Sequence, residues 1–154
     1  MILIQNLIVA ARGSSKIAAD YGAFILKHLQ VFNTVKVLES HEIQNSDLQR
    51  VKYAGYLTLS QSGEGKSLIN GVKSAVQQGI TCINVVNVEG SPLTKVISEL
   101  SESLQDQWFE SESIGLFMKS GFCYSDVKTF ISEVIAMALV SLWFSSNKSS
   151  AADK

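Results

Sequence analysis

The sequence predicts an α/β fold in which a parallel sheet is covered by helices on both faces. Short, nearly continuous apolar runs alternate with segments whose apolar residues recur at spacings of three and four. Several of these runs lead directly into glycine- and serine-rich turns, and the 154 residues suffice for one domain with a single continuous core. Strands separated by helices require right-handed crossovers, which produce a sheet buried on both sides.

Ile2 to Ala10 reads as the first strand and stops at Arg12-Gly13-Ser14-Ser15. Ile17, Ala18, Tyr21, Phe24, Ile25 and His28 or Leu29 then lie on one helical face. Val35 to Leu38 is a short strand, Ser46 to Val51 reads as helical, and Ala54 to Leu59 is a strand running straight into SQSGEGKS at 60–67. Leu68, Ile69, Val72, Ala75 and Val76 mark the next helix, with Gly79 placed as its C-terminal cap and Ile80 to Val86 as the following strand. Pro92 stands in the first turn of a further helix, where its missing N–H costs nothing. Two readings follow it: a strand at Ile114 to Met118, or an earlier one near Leu100 followed by an inserted loop. From Val127 onward, Phe130, Ile131, Val134, Ile135, Ala138, Leu139 and Leu142 form a long apolar helix. The pattern gives one domain over 1–146, and the polar residues 147–154 are expected to be a disordered tail.

Thirteen basic residues against fourteen acidic ones give a net charge of -1, so no global field favours nucleic acid or an acidic membrane. Any bound anion must be held by local geometry. Cys82, Cys123, His28 and His41 show no metal-ligand spacing, and both thiols read as buried filler, which fits a reducing cytoplasm. The opening apolar run has no basic residue before it and is interrupted by Gln5 and Asn6, unlike a signal peptide. No stretch of the sequence reaches the roughly 18 to 20 apolar residues of a membrane span without a polar break.

In open parallel sheets ligands bind beyond the carboxyl ends of the strands. The turns RGSS and SQSGEGKS both occupy that edge. Glycine lets the backbone approach an oxyanion, hydroxyls donate to it, and helix N-termini add unpaired N–H groups with partial positive charge. The second turn is one residue from the ATP loop G-x-x-x-x-G-K-[ST], with Ser60 in place of the first glycine. No strand ending in aspartate is available to help hold magnesium, since the strands end at Leu59 and Val86. A loop for another phosphate is the better reading, with Lys66 a solvated residue of the first helical turn.

Three stretches carry a family resemblance: ARGSSKIAADYGAFIL, LTLSQSGEGKSLINGVKSAVQQGI and INVVNVEGSPL. They resemble the sugar isomerase (SIS) domain, and within it the first SIS half of the isomerase module of glutamine:fructose-6-phosphate aminotransferases, whose turns read roughly G-T-S, S-Q-S-G-E-T and N-x-x-G-S-x-L. The resemblance covers about Ile8 to Val96. It implies a three-layer, flavodoxin-like or Rossmann-like sandwich with a five-stranded parallel sheet, and a sugar phosphate held in the serine turns. The phosphosugar-binding residues it implies are Gly13, Ser14 and Ser15 in the first turn and Ser60, Gln61, Ser62 and Gly65 in the second. Gly65 replaces the family's threonine, which removes one donor, a net loss of about 1 kcal/mol for a single hydrogen bond.

Isomerisation between an aldose and a ketose needs a base that carries a proton between adjacent carbons. Glu42, beside His41 in ESHEI, matches a glutamate that follows the family's second strand. Lys128 and Phe130 match the end of a serine-threonine-lysine run before the last helix, whereas Asp126 replaces its serine and the glutamate of the preceding glycine-proline-glutamate stretch has no counterpart. Glu42, His41 and Lys128 are therefore the candidate catalytic residues. The alternative for Glu42 and His41 is an exposed loop, for His28 a helix surface, and for Glu64 a favourable first-turn charge. The family module has a second SIS half carrying a catalytic glutamate and histidine, and these 154 residues hold one half.

Two functions fit: a sugar-phosphate isomerase assembled between subunits, or a phosphosugar-sensing module without the chemistry. Neither calls for a cofactor or a metal. The family's pairing of SIS domains and the apolar last helix, with Trp143 and Phe144, imply a homodimer or higher homo-oligomer.

Overall fold

The structure, a computed structural model, describes residues 4–44, 46–48, 53–103, 115–117 and 126–152. Its elements are β1 (Asn6–Ala11), α1 (Ser14–His28), β2 (Thr34–Glu39), β3 (Ala54–Ser60), α2 (Lys66–Gln77), β4 (Thr81–Val86), α3 (Pro92–Ser103), β5 (Gly115–Phe117) and α4 (Asp126–Ala152). The expected α/β fold with a helix-flanked parallel sheet is present. All pairings are parallel, in the order β2-β1-β3-β4-β5. Four strands of six or seven residues form the body of the sheet, and the three-residue β5 pairs beside β4 at its edge. Of the two readings left open after Pro92, the strand within 114–118 is the one observed, and Leu100 belongs to α3.

The central strands are buried as their apolar runs require: Val9, Leu57, Leu59 and Val85 have no exposure. One sheet face is covered by α1 and α4, which pack on each other; the other is covered by α2 and α3. Gly79 follows the α2 cap residue Gln78 with φ of 70°, a left-handed conformation that glycine adopts without strain. Cys82 is a buried free thiol, and burial pushes its pKa up to about 12. Cys123 lies outside the described residues.

The apolar stripe of α1 is divided: Ile17, Tyr21 and Phe24 are exposed, while Ala18 is buried with Ala19, Gly22, Ala23 and Leu26. Small residues there allow close approach of α4, and a Cβ on Gly22 would stand 2.5 Å from Met137 Cε. In α4, as the inference of pairing from its apolar surface requires, part of the apolar stripe is uncovered. Ile131, Ile135, Leu139 and Leu142 are exposed, and the inward face carries Thr129, Glu133, Met137, Val140, Ser141 and Phe144.

The supposed tail from Asn147 onward continues as helix to Ala152. Its residues are mostly polar, but they include two alanines and no glycine or proline to stop propagation. Asn147 Nδ2 donates to Trp143 O, and Lys148 Nζ donates to Gln30 O. Residues 46–48 form a turn rather than helix, and the rest of the helix expected over Ser46 to Val51 lies outside the described residues.

As a continuous helix, Val127–Lys148 is long and apolar enough to cross a membrane by length and composition, with a mean hydropathy of 1.6. Here it covers the sheet, with Glu133 and Ser141 buried along its inner face.

Candidate functional site

The chain leaves β1 toward β2 on one side and later adds β3 and β4 on the other, so the strand order reverses between β1 and β3. Loops leaving adjacent parallel strands in opposite directions open a crevice at that point. A cleft of about 740 Å³ lies there. It is lined by the first turn from Arg12 to Ser15, by Ser60, Gln61, Ser62, and Glu64 to Leu68 of the second, and by His41 after β2.

Gly13 is the N-cap of α1 with φ 60° and ψ -130°, a conformation essentially restricted to glycine. Its N–H donates to Glu39 Oε1 at 3.3 Å. Gly65 is the N-cap of α2. Neither helix has a side-chain cap hydrogen bond or an acidic residue in its first turn. Glu64 precedes the α2 cap and does not fill the first-turn role suggested for it. The first N–H groups of both helices therefore face the cleft without side-chain caps, with the positive ends of two helix dipoles behind them.

Gly63 shapes the second turn. Its φ is 67°, and a Cβ there would stand 2.2 Å from Ser91 Oγ. The Gly63 N–H donates to Ser60 Oγ at 3.1 Å, and the Glu64 N–H donates to Ser62 Oγ at 3.3 Å. Both hydroxyls act as acceptors in these bonds and retain their own protons for an outside acceptor. Leu93 N donates to Gly63 O, tying the turn to α3. Ser40 and Ser67 are hydrogen-bonded at 2.9 Å, which fixes the end of β2 to the start of α2.

The SIS domain model matches residues 4–96, more than half of the chain. The chain belongs to the SIS domain family. Similar proteins include glutamine--fructose-6-phosphate aminotransferases [isomerizing] of Thermus thermophilus, 24% identical over 144 residues, and a probable one of Acanthamoeba polyphaga mimivirus, 21% identical over 142. These alignments take in 92% and 91% of the chain and 21% of each relative, so the chain spans about a fifth of the length of these curated relatives.

Among solved structures, the Vibrio vulnificus NanR protein complexed with ManNAc-6P superposes with a TM-score of 0.70 at 15% identity, over 98% of this chain and 52% of that one. The C-terminal domain of glucosamine-fructose-6-phosphate aminotransferase from Francisella tularensis gives 0.69 at 20% identity, over 93% and 36%. At these identities the structural likeness establishes the fold.

All seven residues named for the phosphosugar from sequence, Gly13, Ser14, Ser15, Ser60, Gln61, Ser62 and Gly65, come together around this SIS cleft. Of the three candidate catalytic residues only His41 lines it; its Nδ1 lies 3.8 Å from Glu39 Oε1. Glu42 is exposed one residue further along the same turn, and Lys128 is exposed near the start of α4. Neither is among the lining residues. His28 is on the surface of α1, stacked on Phe24 with centroids 6.4 Å apart.

The sequence reading missed two residues of α4. Glu133, 1% exposed, accepts a 2.7 Å hydrogen bond from Ser15 Oγ, and Thr129, one turn earlier and also buried, accepts one of 3.4 Å from Gln61 Nε2. One helix thus holds both serine turns. The carboxyl pKa of Glu133 is raised by burial, partly offset by the Ser15 hydrogen bond. The one carboxylate between Val127 and Val140, beside Ser132 within an apolar run from Phe130 to Val140 and four residues after a threonine, was the available signal.

Proposed function

We propose that this SIS domain binds a sugar phosphate, with the phosphate between the two serine turns and the sugar toward His41. The observation that carries this reading is the convergence of two helix N-termini free of side-chain caps with Ser15, Ser60, Gln61 and Ser62 at the topological switch point. An anion held by backbone N–H groups and hydroxyls requires no strong positive charge, in keeping with the near-neutral chain. The NanR structure, which holds ManNAc-6P, and the aminotransferases named for fructose 6-phosphate support the ligand class.

Replacing Ser60 and Ser62 together by alanine removes two donors aimed at a charged acceptor, each worth about 1.5–3 kcal/mol. Affinity for fructose 6-phosphate, measured by calorimetry, is expected to fall at least a hundredfold. Unchanged affinity contradicts the placement.

Binding without turnover fits the cleft better than isomerisation, because Glu42 and Lys128 stand outside its lining. His41 keeps the isomerase reading testable as the cleft's one imidazole among the described residues. Conversion of fructose 6-phosphate or glucosamine 6-phosphate, followed by NMR, is expected to be absent. Turnover lost in His41→Ala or Glu42→Gln establishes the enzyme instead.

Pairing with a second copy through α1 and α4 belongs to the same proposal. Ile17, Tyr21 and Phe24 on one helix and Ile131, Ile135 and Leu139 on the other form outward apolar stripes on two packed helices.

A further inference from the structure

We propose that Glu133 is a positioning residue for the first serine turn, its carboxyl holding Ser15 Oγ and its proton deciding whether that hydroxyl can be donated to a bound phosphate. This rests on the sugar-phosphate reading and deepens it.

Ser15 has one hydroxyl proton. With Glu133 ionised, the carboxylate is an acceptor only, and the Ser15 proton is committed to it across 2.7 Å. Ser15 then presents only lone pairs to the cleft, and a buried negative charge stands behind the anion site. With Glu133 protonated, the carboxylic acid donates to Ser15 Oγ, and the serine proton is free for the phosphate. No atom needs to move far; only the direction of one hydrogen bond reverses. Anion binding and protonation of Glu133 thus favour one another, by the reciprocity that links any two binding events.

The surroundings allow this exchange. Glu133 is 1% exposed and has no ion-pair partner among the described residues. On α1, Lys16 is paired with Asp20 at 2.8 Å. Arg12, His41, Glu64 and Lys66 line the cleft with exposed side chains, Glu39 receives the Gly13 N–H, and Lys128 on α4 is exposed. Cys82 and Tyr56 belong to the core on the other face of the sheet. Burial raises the pKa of Glu133, bringing its titration closer to neutrality.

The test is calorimetric titration of wild type, Glu133→Gln and Ser15→Ala with fructose 6-phosphate between pH 5 and 8.5, in buffers of different ionisation enthalpy. Glutamine is neutral and its amide can donate to Ser15 Oγ at every pH. Wild-type affinity is expected to fall by up to tenfold per pH unit relative to Glu133→Gln once the carboxyl ionises, with proton uptake on binding that the variant lacks. The second ionisation of the ligand, near pH 6 for a phosphate ester, is common to both proteins and cancels in the ratio. Ser15→Ala is expected to bind about ten- to a hundredfold more weakly, still measurably, and to lose the Glu133-linked part of the pH dependence.

Binding by wild type with the same pH profile and proton uptake as Glu133→Gln overturns the role of Glu133 and leaves the sugar-phosphate reading standing. If Glu133→Gln does not fold, an unaltered pH profile in Ser15→Ala overturns it equally. Absence of binding by wild type at every pH overturns both.

Discussion

The two faces of the sheet are covered in opposite ways. Under α2 and α3 the helices follow their apolar periodicity: Leu68, Val72, Ala75 and Leu93 are buried, and the polar sides meet water. Under α1 and α4 the buried faces are built from alanine, glycine, threonine, glutamate and serine together with Leu26, Met137, Val140 and Phe144, while strongly apolar stripes point outward. Periodicity identifies a helix's apolar face, but it does not say what that face meets. Both faces pack helix on helix as well as on the sheet, but the second carries the polar residues that hold the serine turns and leaves apolar side chains exposed.

The sharpest contrast is between two leucines. Leu93→Ala, at a fully buried position on α3, is expected to cost about 2–5 kcal/mol in urea unfolding. Leu139→Ala, on the outward stripe with 61% exposure, is expected to change monomer stability by less than about 0.5 kcal/mol. Leu139→Asp is instead expected to shift sedimentation from dimer to monomer. A large loss of stability in Leu139→Ala at dilution, where only monomer remains, breaks the comparison.

A smaller effect is expected at the α1–α4 contact, where Gly22→Ala must displace Met137 and should cost about 1–3 kcal/mol by thermal denaturation. The buried carboxyl gives the same face a pH signature. Glu133 has its folded pKa raised above the ordinary 4.5, so its contribution is fully present below that value and is lost as pH rises through the folded pKa. Glu133→Gln is expected to flatten that decline in a series of unfolding curves. Smallest is Gly65→Thr, where φ is -63° and an added Cβ meets only Leu68 at 3.4 Å. A hydroxyl at this N-cap is expected to add a few tenths of a kcal/mol to stability and to raise phosphate affinity in the same titration.

Much of this was legible because local rules and tertiary context agree along the strands and glycine-serine turns of the first 96 residues. The apolar runs of β1, β3 and β4, the two glycine-serine turns and Pro92 each point to the observed element, and the seven phosphosugar candidates meet in one cleft. Legibility failed where context overrode pattern. The outward stripes of α1 and α4 resemble core faces because apolar periodicity does not say whether a face meets the sheet or solvent. Glu133 and Thr129 were hidden because their roles arise across 118 and 68 residues of sequence, from hydrogen bonds to Ser15 and Gln61. The helical continuation past Asn147 was missed because polar composition was read as disorder, although helix propagation needs only residues that do not interrupt it.

The central claim is that SQSGEGKS and RGSS form one site for a sugar phosphate. Calorimetric titration with fructose 6-phosphate, glucosamine 6-phosphate, the two unphosphorylated sugars and ATP tests it most directly. The account predicts saturable binding of a phosphosugar, loss of that binding when the phosphate is removed, and no response to ATP. Binding of ATP in preference, or of none of the sugar phosphates, contradicts it.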